Sequence, residues 1–154
     1  MYSKQVLKHF KNPQNQGKIK NPDAEGLVGN PVCGDVMKLY INIEKNIKDI
    51  KKSKIKEIKF ETLGCGAAIA CSSVVTTIAK NKTLEYGMNL DKDFVLKELG
   101  GLPEAKIHCS MLSIQALKKA INNYLEKSND KKENTDKVIK KRNSKIKSRS
   151  KIKK

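Results

Sequence analysis

Two cysteines stand six residues apart among glycine, alanine and serine in "LGCGAAIACSS" at 63–73. A thiol among such small residues is either packed tightly or left reachable. Three of the four cysteines share a setting: Cys33 in "NPVCGD", Cys65 in "LGCGAA" and Cys109 in "KIHCSM". Each sits at a joint between expected elements, and Cys33 and Cys65 are followed directly by glycine, which lets a bulky partner approach the backbone. Cys65 and Cys109 each begin an expected helix, whose free N–H groups and dipole favour thiolate over thiol. Thiolate is the form that binds metal and attacks sulfur. Asp35 lies two residues after Cys33, and His108 directly precedes Cys109. Three thiolates with a carboxylate or an imidazole make a four-coordinate set for zinc or for the irons of an iron–sulfur cluster.

The spacing alone leaves other readings open. There is no CxxC, and the three cysteines come from distant places. All four thiols also fit a structural role in a core. His108 fits a hydrogen bond to a backbone carbonyl, and Asp35 fits a turn after Gly34. Cys71 is about 600° of helical rotation from Cys65. It shares a stripe with Val75 and Ile78, so it reads as a small buried hydrophobe. His9, beside Phe10, reads as a surface or packing residue.

The elements that must position these groups follow from periodicity. Residues 3–11 read as a short helix with Ser3 as N-cap, Val6, Leu7 and Phe10 as its apolar face and Pro13 as its stop. Residues 12–25 are turn-rich and polar, hence a loop. From residue 27 the period is two. Met37, Leu39, Ile41 and Ile43 alternate with polar residues, as do Ile58, Phe60 and Thr62, so both stretches read as half-buried strands. "EGLVGN" supplies a shorter first strand, and "EKNIKDIKKSK" an exposed connection. After Gly64 the spacing of Ala68, Cys71, Val75 and Ile78 is helical. Asp91 caps a helix that "GG" ends near Leu99. Ile114, Leu117, Ile121 and Leu125 mark a last helix over 110–125. This order predicts an α+β fold: a small antiparallel three-stranded sheet with helices packed on one face.

Composition sets the bounds. The chain has 154 residues, 38% of them hydrophobic and none Trp, which is enough for one domain with a modest core. The net charge is +17, unevenly placed: residues 127–154 carry thirteen Lys/Arg against three Asp/Glu. The domain boundary is therefore expected at 126/127, with one domain over 1–126 and a basic tail over 127–154. That tail buries too little apolar surface to offset its ordering entropy and is expected to be disordered in isolation. It has no aromatic side chain to stack on bases, which argues against specific nucleic-acid recognition. No run reaches the length of a membrane span, and "MYSKQVLKHF" lacks the apolar region of a secretory signal. Cysteines without an export signal suggest a reducing, cytoplasmic setting.

Four motifs in order carry a resemblance: "YSKQVLKHFKNPQNQG" at 2–17, "VGNPVCGDVMKLYI" at 28–41, "FETLGCGAAIACSS" at 60–73 and "LPEAKIHCSML" at 102–112. From about Tyr2 to about Leu125 the chain resembles the IscU-type iron–sulfur cluster assembly scaffolds, related to the amino-terminal domain of NifU. The resemblance implies a SufE/NifU-like sandwich and a scaffold rather than an enzyme that turns over a substrate. It implies cluster ligands at Cys33, Cys65 and Cys109, with Asp35 helping to hold the cluster and keeping it labile. His108 matches the alternative fourth ligand, and Lys106 matches a lysine of the family motif near the site. Cys109 is the implied sulfur acceptor. The implied cargo is a transient [2Fe–2S] cluster built from iron and sulfur, with zinc able to occupy the same pocket. The implied partners are a cysteine desulfurase, an iron donor, an electron donor and apo iron–sulfur proteins.

Three departures qualify the resemblance. Cys71 stands where the family usually carries serine. "LPEAK" at 102–106 replaces "LPPVK", the stretch bound by an Hsp70-type chaperone, and Glu104 and Ala105 argue against that recognition. The basic tail has no counterpart in the single-domain family. The 44 residues from Cys65 to Cys109 leave no room for the insertion of the Gram-positive SufU branch, which favours the IscU-like branch. A zinc-binding interaction module using the same ligands remains the alternative reading, and a nucleic-acid-associated protein acting through residues 131–154 is a third.

Overall fold

The computed structural model describes residues 2–31 and 34–152, with side chains through residue 141. The chain divides into two units, residues 1–124 and 125–154. The first contains α1 (Lys4–Lys11), β1 (Ala24–Gly29), β2 (Val36–Glu44), β3 (Lys54–Leu63), α2 (Gly66–Ala79), α3 (Leu84–Met88), α4 (Lys92–Glu98) and the start of α5 (Ile107–Ile152). The strands form one antiparallel sheet in the order β1-β2-β3. The fold is α+β with a three-stranded antiparallel sheet, as the alternation predicts.

Local chemistry accounts for the element ends. The Ser3 hydroxyl accepts from Val6 N–H at 3.1 Å and donates to the Leu99 carbonyl, so one side chain caps α1 and ties it to the end of α4. Asp91 caps α4 by accepting from Asp93 N–H at 3.3 Å. The short helix α3, absent from the periodicity reading, starts on Thr83, whose hydroxyl accepts from Tyr86 N–H at 3.1 Å. Five residues are too few to establish a helical period. Of the expected apolar face of α1 only Val6 is buried; Leu7 and Phe10 are 41% and 46% exposed.

β3 is longer than its alternation suggested. Ile55 and Ile58 are both buried although three residues apart, out of phase for a regular strand. A register shift opposite Asn42/Ile43 absorbs the extra residue, so both side chains face the core. Met37, Leu39, Ile41, Ile55, Ile58 and Phe60 make the inner face, each at most 1% exposed. Against it lie Val75, Leu117 and Ile121 from α2 and α5.

Both sheet edges are occupied, which removes free templates for strand addition. On the β1 side, Lys119 Nζ donates to the Leu27 carbonyl at 2.9 Å and Asn123 Nδ2 to the Glu25 carbonyl at 2.7 Å. On the β3 side, Gly17 N–H donates to the Phe60 carbonyl and Phe60 N–H to the Asn15 carbonyl, while Ile55 exchanges bonds with Asn81 and Lys82. α5 approaches β1 so closely that a Cβ on Gly26 would fall 2.4 Å from the Ala116 carbonyl oxygen and 2.7 Å from Ala120 N.

In the second unit the backbone is helical to Ile152 and the side chains through Lys141 are mostly exposed. The sequence reading expected disorder in isolation there. The helical backbone has no glycine or proline after Pro103 to break it, and half of residues 125–154 are lysine, arginine or glutamate, which favour helix. Glu133–Lys137 and Asp136–Lys140 also stand at the supportive four-residue spacing. Among the described residues no helix is long and apolar enough to cross a membrane.

Gly26→Ala is expected to cost about 1–3 kcal/mol in urea unfolding, because the added methyl meets backbone rather than a movable side chain. Gly87→Ala, which presses mainly on the flexible Ile121 Cδ1, should cost less.

Candidate metal centre

The site forms where three element ends meet. Asp35 ends the loop before β2, Cys65 is the residue before α2, and His108 and Cys109 lie in the first turn of α5. The loop is held by Asn30 N–H donating to the Asp35 carbonyl and Gly34 N–H donating to the Asn30 carbonyl, both at 2.8 Å. Gly34 takes φ +74°, a left-handed turn conformation that favours glycine. Asp35 is buried to 9% exposure although it is a carboxylate, a costly placement unless partners offset it.

Those partners are sulfur. Cys65 Sγ lies 3.5 Å from Cys109 Sγ, and Asp35 Oδ2 lies 4.0 Å from the first and 3.9 Å from the second. His108 Nε2 is 3.5 Å from Cys109 Sγ. The ligand atoms of Asp35, His108 and Cys109 all fall within 4.8 Å of one another. Two thiolates on one tetrahedral zinc, each about 2.3 Å away, stand roughly 3.8 Å apart, and a thiolate and a carboxylate oxygen roughly 3.5 Å apart. The observed separations are within about half an ångström of both values, so the donor set fits a soft metal centre with little rearrangement. Cys33, the remaining ligand expected from the sequence, lies outside the described residues. Lys106 ends the short turn Glu104–Lys106 that leads into α5.

The two thiols differ in access. Cys65 is half-buried and Cys109 fully buried. The helix-start argument expected both as thiolates. At Cys109 the structure reverses it: burial pushes the thiol well above its ordinary range, and hydrogen bonding to and charge on Cys65, then Cys71 and Asp35, push it the same way. Desolvation and neighbouring negative charge outweigh the helix dipole when no cation is present. Cys71 is fully buried, as its stripe predicts, and is pushed up to about 12 by burial and then by Cys65.

Behind the site, hydroxyls join the helices. Ser72 Oγ and Ser113 Oγ are 3.1 Å apart across α2 and α5, where one donates to the other, and the other donates to a carbonyl one turn back. His9 Nδ1 lies 2.8 Å from Ser73 Oγ, which also accepts from Gln14 N–H at 2.8 Å. This pins α1 to α2 and gives His9 a positioning contact. Burial, then the charge of Lys8, lowers its pKa. Nothing in the sequence marks this pair, whose members are 64 residues apart.

Residues 1–131 match the NifU-like N terminal domain family. The chain belongs to that family. Within it, the chain is 49% identical over 128 residues to the iron–sulfur cluster assembly scaffold protein IscU 1 of Archaeoglobus fulgidus, covering 83% of this chain and 79% of that one. It is 41% identical over 126 residues to the IscU scaffold protein of Aquifex aeolicus, covering 82% and 77%. The crystal structure of the N-terminal part of a NifU-like protein from Brucella abortus superposes with a TM-score of 0.59 at 19% identity, over 81% of this chain and 94% of that one, a likeness of fold.

In protein free of metal, iodoacetamide at pH 7.5 is expected to modify Cys65 at least about tenfold faster than Cys109 or Cys71, since the thiolate is the nucleophile and both slow thiols are buried and protonated. Peptide mapping by mass spectrometry measures the order.

Proposed function

We propose that this chain is a scaffold for de novo assembly of [2Fe–2S] clusters. It would take sulfur from a cysteine desulfurase, receive iron and reducing electrons from separate donors, and pass the finished cluster to apo-proteins. The observation that carries this reading is the convergence of Cys65, Cys109, Asp35 and His108 from three separate element ends in a chain whose family relatives are named as such scaffolds.

The proposed ligand set is Cys33, Cys65 and Cys109 with Asp35, and His108 as the alternative fourth donor. Thiolates are soft donors suited to iron–sulfur and zinc centres, whereas a carboxylate is harder and weaker. A shell of three sulfurs and one oxygen holds its cargo and still lets it leave. Cys109 is the proposed sulfur acceptor. Its thiol would attack the outer sulfur of a donor persulfide, forming one S–S bond as the donor's breaks and returning the donor cysteine as a thiol. His108 Nε2, 3.5 Å away, is placed to take the proton that this attack requires Cys109 to lose. Cys109 is buried, so a donor reaches it only when its surroundings give way. The protein's own part is binding and orientation, without turnover of a substrate.

A zinc-binding interaction module is supported by the same near-tetrahedral separations. Anaerobic reconstitution with iron, cysteine and a desulfurase separates the two. The scaffold reading expects a brown protein with about two irons and two sulfides per chain. It also expects loss of the visible absorption in Cys65→Ser and Cys109→Ser. A colourless product that retains zinc would leave the module reading. Asp35→Ala is expected to lengthen the half-life of the bound cluster several-fold, read as decay of its absorption in the presence of chelator. An unchanged or shortened half-life would remove the proposed role of the carboxylate.

A further inference from the structure

The metal centre and its supporting elements lie in residues 1–124 and leave the second unit without a role. Ten Lys/Arg and no Asp/Glu occupy residues 137–154, while the four acids of the unit, Glu126, Asp130, Glu133 and Asp136, all precede them. The backbone is helical through Ile152, and residues 131–141 are exposed throughout. From 137 to 152 that helix is about 24 Å long at 1.5 Å per residue. Eight cations fall within it, about one for every 3 Å of axis. The phosphates of one nucleic-acid strand repeat at about 3.4 Å, so the two linear charge densities nearly match.

We propose that residues 137–152 bind the phosphate backbone of nucleic acid without regard to base sequence, tethering the scaffold to it. Other polyanions fit less well. A helix that lies in a membrane surface carries a broad face of leucine and aromatic residues, whereas this segment offers Val138, Ile139, Ile146 and Ile152 as its only large apolar side chains and no aromatic at all. Folded acidic proteins present carboxylates at lower and less regular density than a phosphate strand. The missing aromatics also remove base stacking, which leaves charge pairing as the source of affinity and predicts indifference to sequence.

The test uses the full chain and fluorescence anisotropy with two unrelated single-stranded RNAs of about 20 nucleotides and one duplex DNA of about 20 base pairs. Both RNAs should bind within about threefold of each other, and affinity should fall at least tenfold between about 50 and 200 mM salt. The RNA-to-DNA ratio identifies the preferred source of the phosphates. Replacing Lys140, Lys141, Arg142, Lys145 and Lys147 by Gln should weaken binding at least tenfold and flatten the salt slope by up to about 0.9 for each cation seated on a phosphate of the duplex. The urea midpoint of this variant should match the parent's, since those residues lie outside the first unit. Exchanging the four lysines for Arg should retain binding. Unchanged affinity in the Gln variant overturns the proposal, as does tighter binding to polyglutamate or to vesicles rich in anionic phospholipid than to nucleic acid.

Discussion

The close approach of α2 and α5 over one face of a three-stranded sheet is the constraint on which the rest of this structure depends. Both helices bury small residues: Ala67, Ala68, Ala70 and Cys71 on α2, and Ala116 and Ala120 on α5, the last two closing on Gly26 of β1. The Ser72–Ser113 contact fixes the two helices side by side. Once they lie in this way, the residue before one and the first turn of the other meet, and two sulfurs 44 residues apart come within 3.5 Å. The β2 entrance delivers Asp35 to the same point. The centre is a by-product of packing that would be needed in any case to bury the sheet.

That packing sets an electrostatic conflict. Two thiols and a carboxylate share a small, largely dry space, and each negative charge opposes the next. Without a cation, burial first and neighbouring charge second keep the protons on Cys109 and Cys71. A divalent metal reverses the balance, because its charge stabilises thiolates and releases those protons. The same features that make Cys109 unreactive alone make the pocket attractive to a soft cation. Access is graded as well: Cys65 is half-buried and Cys109 fully buried.

Much of the framework was legible in the residues. Strict alternation placed β2, the caps Ser3 and Asp91 placed two helix starts, and the stripe through Cys71, Val75 and Ile78 marked Cys71 as buried. The misses have local causes. α3 is too short to show a period. The bulge opposite Asn42 breaks alternation, so β3 looked shorter than it is. The fate of Leu7 and Phe10 depends on how little of α1 its neighbours cover. After residue 127 the backbone is helical, while the sequence expectation concerned the segment in isolation.

By itself the sequence determined which residues are candidates for metal chemistry, that they sit at element joints, and that charge concentrates beyond residue 126. These are properties of residue type and short-range period, which a chain displays before it folds. Only the tertiary structure decided which thiol is reachable, which is held protonated, and how near a carboxylate and an imidazole stand to sulfur. Those depend on distances and on the exclusion of water, and both arise only when segments far apart in the chain are packed together.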